Sequence, residues 1–211
     1  MGTHHVDFSL YLVTDRTRTR GNPVSLVVEE CLEAGLRALQ VREKDLSASE
    51  LLEVARPLHG LTQKFGAKLF INDRVDVALA LGAEGIQRTS HSLPTAAIRL
   101  VAGAGKLIGV SVHSLEEART AQAEGADFVV FGPVYDTPSK RLYGPPQGLE
   151  SLARCAGAVS IPMFAIGGIT PERVSTVRAA GAHGVAVISA IIAAERPGDA
   201  TKAFLDALGS A

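Results

Sequence analysis

The stretch LRALQVREK, residues 36–44, contains the pattern on which the predicted fold depends. It begins as a short apolar run and ends in Gln40, Arg42 and Lys44, three polar residues spaced two apart. The segment Ser47-Ala-Ser-Glu50 follows and has the form of a capping box, which marks the start of a helix. A short apolar run with a polar end, followed directly by a capped helix, is typical of one βα unit in a parallel sheet.

The same βα pattern recurs along the whole chain. The apolar runs predicted to be strands are Ser9–Val13, Ala38–Val41, Leu69–Ile71, Gly85–Gln87, Leu107–Val110, Phe128–Phe131, Met163–Ile166 and Gly184–Ile188. Helical stretches are predicted to begin near Pro23, Ser47, Val75, Pro94, Leu115, Gly148, Thr170 and Gly198. Eight βα units in about 200 residues predict an α/β fold, a single (β/α)8 TIM barrel. The main alternative, a doubly wound open sheet, more usually has about five or six units.

Composition and charge argue against several classes of function. Of the 211 residues 46% are hydrophobic, which fits a single domain over residues 1–211, with residues 1–7 expected to be a flexible N-terminal extension. A net charge of −1 provides no overall field for nucleic acid or for an anionic membrane. There is no signal-peptide pattern, and no apolar run approaches the roughly 20 residues of a membrane helix. We therefore expect a cytoplasmic protein in which Cys31 and Cys155 are reduced and buried.

Polar residues cluster where the predicted strands end. Gln40, Arg42 and Lys44 are expected to share one strand face, where an amide and two cations suit a compact polyanion such as a diphosphate; the alternative is a solvated strand end. In a barrel the carboxyl ends of all strands meet at one catalytic rim. Asp73, after the third strand, is a candidate ligand for a divalent cation that screens the diphosphate. His113, after the fifth strand, is as often structural as catalytic at such a rim.

A second anion site is expected elsewhere on the same rim. The long loop after the sixth strand contains Thr137, Ser139 and Lys140, two hydroxyls and a cation that suit a phosphate. Gly167-Gly168 follows the seventh strand and Ile188-Ser189 follows the eighth, the region where backbone N–H groups bind phosphate in many barrels. Two anion sites suggest two phosphorylated reactants, one of which carries a diphosphate leaving group.

The chain resembles the thiamine phosphate synthase/TenI family from end to end. The shared segments are Tyr11-Leu-Val-Thr-Asp15, Gln40-Val-Arg-Glu-Lys44, Ile71-Asn-Asp-Arg74, Ile108-Gly-Val-Ser111 with His113, Thr137-Pro-Ser-Lys140, Ile166-Gly-Gly-Ile169 and Ile188-Ser-Ala-Ile191. The resemblance implies a barrel, commonly a homo-oligomer, that acts in thiamine biosynthesis on small phosphorylated pyrimidine and thiazole substrates. Synthases of the family join hydroxymethylpyrimidine diphosphate to (carboxy)thiazole phosphate and release thiamine phosphate and diphosphate.

The resemblance also implies roles for individual residues. Those implied to bind the pyrimidine diphosphate are Gln40, Arg42, Lys44, Asn72, Ser111 and Lys140. Those implied to bind the thiazole phosphate are Thr137, Ser139, Gly168, Ile188 and Ser189. Asp73 would ligate Mg²⁺, and His113 and Lys140 would be catalytic. In the implied mechanism diphosphate leaves first, and the thiazole nitrogen captures the resulting pyrimidine methyl cation.

One segment departs from the family pattern. Synthases typically have His-Leu-Gly-Gln followed by a second metal-binding Asp after the fourth strand, whereas this chain has Gln87 in place of the His and Ser92 in place of the Asp. A neutral hydroxyl holds Mg²⁺ less well than a carboxylate, so Mg²⁺ is expected to have a weaker site. Arg88 and His91 are the candidates to supply positive charge there instead.

Three functions therefore stay open at this point. The leading hypothesis is a thiamine phosphate synthase, because the Gln-x-Arg-x-Lys set, Asn72-Asp73 and the Thr-x-Ser-Lys segment are intact. The second is a TenI-like thiazole tautomerase, an isomerase that needs a monophosphate site and a proton carrier such as His113 but no Mg²⁺. The third is a non-catalytic regulator that binds phosphorylated ligands.

Overall fold

Parallel strands in a closed barrel form the centre of the protein. The computed structural model describes residues 5–90, 92–137 and 145–209, and eight strands in these residues pair in sequence order, with the last pairing with the first. They are β1 (Leu10–Val13), β2 (Ala38–Val41), β3 (Lys68–Asn72), β4 (Gly85–Arg88), β5 (Leu107–Val112), β6 (Phe128–Phe131), β7 (Met163–Ile166) and β8 (Gly184–Val187). The predicted (β/α)8 TIM barrel is confirmed.

Helices follow the strands and cover the outside of the barrel. They are α1 (Val24–Glu33), α2 (Ala48–Lys64), α3 (Val75–Leu81), α4 (Thr95–Ala102), α5 (Leu115–Ala123), α6 (Gly148–Ala156), α7 (Pro171–Ala179), α8 (Ser189–Ile192) and α9 (Pro197–Leu208). The predicted capping box is present at α2, where Ser47 accepts a hydrogen bond from the Glu50 N–H and Glu50 accepts one from the Ser47 N–H. The short helix α8 and a 3-10 turn over Arg16–Arg18 are additions to the predicted elements.

An aromatic cluster fills the barrel interior below the rim. The Phe8 ring lies 5.2 Å to 5.8 Å from the four other rings of this cluster, Tyr11, Phe70, Phe128 and Phe164. Glycines make room for the rings. A Cβ on Gly85 would lie 2.3 Å from the ring of Phe70, and one on Gly109 would lie 2.3 Å from the ring of Phe128. The interior is therefore a packed core, and polar inward-facing side chains occur above it, at the carboxyl ends of the strands.

The first described residues close the opposite, amino-terminal end of the barrel. Val6 is buried in the same cluster as Phe8, and the Asp7 carboxylate pairs with Lys68 Nζ at 2.6 Å. The expected flexible extension over residues 1–7 therefore does not include Val6 and Asp7, and residues 1–4 lie outside the described part of the chain. Among the described helices none is long and apolar enough to cross a membrane.

Candidate functional site

The ends of β2 and β3 bring a pair of side-chain amides together inside the rim. Gln40 lies two residues after Ala38, which faces the interior, and its side chain is buried. Gln40 Nε2 donates a hydrogen bond of 2.8 Å to Oδ1 of Asn72, the last residue of β3. The two predicted binding residues therefore share one position directly above the aromatic cluster.

The two predicted cations lie beyond the strand rather than on it. Because β2 ends at Val41, Arg42 and Lys44 lie in the loop that leads to α2, and the expectation that they share a strand face with Gln40 is wrong. They remain electrostatically coupled, since the charge of Arg42 is the largest of the effects that lower the pKa of Lys44. Asp73 opposes this shift, so its carboxylate also lies within range of Lys44. The loop thus brings Lys44 within electrostatic range of both Arg42 and the predicted metal ligand Asp73.

Asp73 has an unusual backbone conformation at the end of β3. Its φ of 66° is in the left-handed region, which costs about 1 kcal/mol for a residue with a side chain. A hydrogen bond of 2.9 Å from the Asp73 N–H to the Gln87 carbonyl oxygen holds this conformation. The neighbouring Arg74 binds Asp76, at 2.9 Å from Nε to Oδ1. The turn therefore places the Asp73 carboxylate at the rim and directs Arg74 into a different ion pair.

A chain of hydrogen bonds crosses the barrel just below the rim. The Tyr11 hydroxyl donates to Gln87 Oε1 at 3.3 Å, and Gln87 Nε2 donates to Ser111 Oγ at 3.1 Å. Burial raises the pKa of Tyr11 well above its ordinary value, so the phenol stays a hydrogen-bond donor. Gln87 thus orients the Ser111 hydroxyl, a contact that the sequence analysis does not predict. The sequence contains a sign of this contact, because Gly85 and Gln87 are two residues apart and therefore lie on the same face of the strand.

In the segment that departs from the family pattern, Thr89 and Ser92 are hydrogen-bonded to each other between β4 and α4. Ser92 Oγ accepts a hydrogen bond of 2.8 Å from the Thr89 N–H, and the Ser92 N–H donates back to the Thr89 carbonyl at 3.1 Å. Arg88 lies on the strand face opposite to Gln87 and donates from Nε to the Leu93 carbonyl at 3.3 Å. Ser92 and Arg88 are therefore used in contacts within this segment, and His91 lies outside the described residues.

His113 is exposed one residue beyond the end of β5. Its Nδ1 is hydrogen-bonded to the Gly132 carbonyl oxygen, and its backbone N–H donates to the Glu117 carboxylate. Since a carbonyl oxygen only accepts hydrogen bonds, Nδ1 carries the hydrogen in this contact and Nε2 of the neutral ring is the acceptor. The contact with Gly132 thus leaves Nε2 as the ring nitrogen with an available lone pair.

The loops after β6 and β7 are packed tightly against each other. The Tyr135 N–H donates to the Gly167 carbonyl at 3.0 Å, and a Cβ on Gly168 would lie only 2.8 Å from Tyr135 Cβ. Arg173 donates from Nη1 to the Gly168 carbonyl at 2.6 Å, and its guanidinium lies 4.3 Å from the centre of the Tyr135 ring. Glycine is therefore required at position 168, both for this close approach and for its φ of 65°.

The remaining predicted residues surround these loops. Thr137 is half-buried in the loop after β6, while Ser139 and Lys140 lie outside the described residues. Ile188 and the exposed Ser189 follow β8, which pairs with β7 and so brings them to the same side of the rim as Gly168. In the described residues no group of three acidic, His or Cys side chains could by itself hold a metal ion.

Comparison with known proteins gives consistent matches over nearly the whole chain. A family described as thiamine monophosphate synthase matches residues 10–191. A Geobacter sulfurreducens protein named "Putative thiamine-phosphate synthase" is 52% identical, over 95% of this chain and 94% of its own. The thiamine-phosphate synthase of Roseiflexus castenholzii is 41% identical, over 93% of this chain and 86% of its own. The solved thiamine phosphate pyrophosphorylase from Pyrococcus furiosus has a TM-score of 0.87 and 37% identity, over 95% of each chain.

Proposed function

The chain belongs to the thiamine monophosphate synthase family, and on this premise we propose that it condenses hydroxymethylpyrimidine diphosphate with thiazole phosphate to give thiamine phosphate and diphosphate. The observation that carries the proposal is the arrangement at the ends of β2 and β3. There the Gln40–Asn72 amide pair adjoins a loop with two cations, and Asp73 lies within electrostatic range of Lys44. Such a set suits a pyrimidine ring that carries a diphosphate.

The cations would act mainly on the leaving group. In the reaction the bond between the pyrimidine methylene carbon and the diphosphate oxygen breaks, and the electron pair leaves with the diphosphate. The thiazole nitrogen lone pair then forms the new carbon–nitrogen bond. Negative charge grows on the diphosphate as the first bond breaks, so Arg42 and Lys44 stabilise the transition state more than the bound substrate. Lys140, outside the described residues, is proposed to add a third cation.

The amide groups inside the rim would orient the pyrimidine. Because Gln40 and Asn72 use one donor and one acceptor on each other, the carbonyl oxygen of Gln40 and the NH₂ group of Asn72 remain for the substrate. Ser111, which is oriented by Gln87, supplies a hydroxyl from β5. The packed aromatic cluster below this position leaves no room for water beneath the pyrimidine, which would limit hydrolysis of the cation from that side.

Mg²⁺ fits this site in a restricted way. Asp73 is a suitable carboxylate ligand, and Mg²⁺ in phosphate-binding sites commonly uses one or two carboxylates together with substrate phosphates. Ser92 is less suitable, since its hydroxyl oxygen is hydrogen-bonded to the Thr89 N–H. We therefore propose Asp73 and the diphosphate oxygens as the ligands, without Ser92. When bound, the ion supplies charge neutralisation of the diphosphate.

The second substrate would bind where the β6, β7 and β8 loops meet. Gly168, Ile188 and Ser189 are the proposed backbone and hydroxyl contacts of its phosphate, with Thr137 and Ser139 from the loop after β6. The packing of Gly168 against Tyr135 supports this assignment, because it fixes the backbone N–H groups before a ligand binds.

A thiazole tautomerase is the second candidate, and His113 is the observation in its favour. The Gly132 contact leaves Nε2 as a proton acceptor, which an isomerase needs and the condensation does not.

One assay separates the two functions: purified protein is given both substrates with Mg²⁺, or carboxythiazole phosphate alone. Formation of thiamine phosphate supports the synthase. Isomerisation without thiamine phosphate would favour the tautomerase, and binding with neither reaction would favour a regulator.

The variant His113→Ala sharpens that comparison. Loss of Nε2 should abolish any tautomerase activity, whereas the synthase rate should fall much less, because the thiazole nitrogen attacks without losing a proton. Equal losses of both activities would mean that His113 holds the Gly132 loop in place rather than transferring protons.

A further inference from the structure

Glu43 lies between the two cations of the β2–α2 loop in the sequence, yet its carboxylate is directed to the end of β1. Its side chain is only 3% exposed. Its Oε1 accepts a hydrogen bond of 2.6 Å from the Thr14 hydroxyl, and its Oε2 accepts one of 3.1 Å from the Arg16 N–H. The carboxylate is therefore satisfied by groups that follow β1.

Arg16 binds both acids that flank Lys44. Its Nη1 lies 3.2 Å from Glu43 Oε2, and its two terminal nitrogens donate to the two carboxylate oxygens of Asp45 at 2.7 Å each. These bonds lower the pKa of Asp45 to about 2, so Asp45 is ionised throughout the physiological range. A bidentate guanidinium–carboxylate pair also has a defined orientation. The backbone of Lys44 is thus held between two anchored neighbours.

Thr14 also holds the loop that follows β2. Its hydroxyl oxygen accepts a hydrogen bond of 3.0 Å from the Arg42 N–H, and its own N–H donates to the Gln40 carbonyl at 2.9 Å. Thr14 is fully buried. The loop that follows β2 is therefore tied to Thr14 and Arg16 at three residues, Arg42, Glu43 and Asp45, and the bond to Gln40 joins Thr14 to β2 itself.

We propose that Arg16 is a positioning residue for diphosphate binding: by holding Glu43 and Asp45 it keeps two acids away from Arg42 and Lys44 and fixes the loop that presents these cations. The proposal rests on the proposed function for the identity of the ligand. It has a simple electrostatic basis, because a carboxylate released from Arg16 next to Lys44 would pair with the cation and repel an approaching diphosphate.

The variant Arg16→Gln tests the proposal, with Arg18→Gln as the matched control. Arg18 lies on the same 3-10 turn and is also paired with an acid, Asp15 at 3.0 Å, but this pair lies outside the loop after β2. Binding of inorganic diphosphate is measured by titration calorimetry, and KM is measured for each substrate. Arg16→Gln should weaken diphosphate binding about tenfold, because a released acid would take the place of about one charge-assisted contact between Lys44 and the diphosphate, while the KM for thiazole phosphate stays within about twofold.

The double variant Arg16→Gln/Asp45→Asn separates charge from folding. If a released acid competes with the diphosphate, neutralising Asp45 should restore part of the lost affinity. Amide hydrogen exchange over residues 42–46 gives a readout that needs no ligand, and Arg16→Gln should accelerate it while Arg18→Gln should not.

Unchanged exchange and unchanged diphosphate affinity in Arg16→Gln would overturn the proposal. A parallel rise of both KM values with a lower Tm would also overturn it, since that pattern indicates a general structural role. Absence of diphosphate binding by the unmodified protein would instead contradict the proposed function, while faster exchange in Arg16→Gln would still support the positioning of the loop.

Discussion

The side-chain amide of Gln40 donates a hydrogen bond of 2.8 Å to the carboxamide oxygen of Asn72, and this bond joins the carboxyl ends of β2 and β3. Gln40 is buried above the aromatic cluster, so its amide has little access to water as a substitute partner. The bond therefore fixes the orientation of both amides before a substrate binds.

The variant Asn72→Ala should reveal this role. Without the acceptor on Asn72, the buried Gln40 NH₂ group loses a hydrogen bond, and the free energy of unfolding should fall by about 1–3 kcal/mol. The KM for the pyrimidine diphosphate should rise about tenfold, while the KM for thiazole phosphate should change little. Denaturant unfolding and steady-state kinetics provide the two measurements. Asn22→Ala is the control, because Asn22 is exposed and its side chain makes no hydrogen bond within the described residues, and equal effects of both variants would contradict the assignment.

The pH dependence of diphosphate binding depends on Lys44. Because the charge of Arg42 lowers the pKa of Lys44, this amine loses its proton at a lower pH than an ordinary Lys. Diphosphate binding requires the protonated amine, so affinity should decline over the alkaline range as the pH rises toward that lowered pKa, earlier than it would for an ordinary Lys. Lys44→Arg keeps its charge over this range and should flatten the decline. Calorimetric titrations with inorganic diphosphate test this, and identical pH profiles for both proteins would exclude Lys44 as the titrating group.

A side chain at position 168 should displace the loop after β7. Gly168 and Gly66 have the same φ of 65°, but a Cβ on Gly66 would have no heavy atom within 4 Å, whereas one on Gly168 would contact Tyr135 at 2.8 Å. Both Gly→Ala variants should lose about 1 kcal/mol of stability from backbone strain. We expect only Gly168→Ala to raise the KM for thiazole phosphate severalfold, because its loop must move. An unchanged KM would place the thiazole phosphate elsewhere.

Restoring an acid after β4 should strengthen the metal site. In Ser92→Asp the carboxylate can still accept the hydrogen bond from the Thr89 N–H and also offers a second oxygen to a cation. The Mg²⁺ concentration for half-maximal activity should fall, and Mn²⁺ binding measured by electron paramagnetic resonance should tighten. Ser90→Asp adds the same charge at an exposed position two residues away. If the two variants behave alike, Ser92 does not face the metal.

The fold was predictable from the sequence because each βα unit contains its own local signals. All eight strands are found within two residues of their predicted bounds, and the predicted helix starts agree as closely. The short apolar runs and the Ser47–Glu50 capping box both depend on neighbours along the chain. The four-residue helix α8 is too short for a periodic pattern, so no comparable signal marks it.

The candidate site was only partly predictable, because several of its contacts cross the barrel. The local pattern predicts the end of β2 at Val41 correctly, but the period-two spacing of Gln40, Arg42 and Lys44 wrongly suggests that the two cations continue the same strand face. In the sequence Glu43 is one more charge in a polar run, and its burial depends on Thr14 and Arg16, which follow the end of β1. Similarly, the contact of Gln87 with Tyr11 joins residues that are distant in the sequence.

The most direct test of the central claim is to follow the condensation by phosphorus NMR. The purified protein is incubated with pyrimidine diphosphate, thiazole phosphate and Mg²⁺, in parallel with Lys44→Ala. We predict that thiamine phosphate and inorganic diphosphate appear in equal amounts, and that Lys44→Ala slows both signals about tenfold or more without changing the KM for thiazole phosphate. No release of diphosphate by the unmodified protein, or an unchanged rate in Lys44→Ala, would contradict the account.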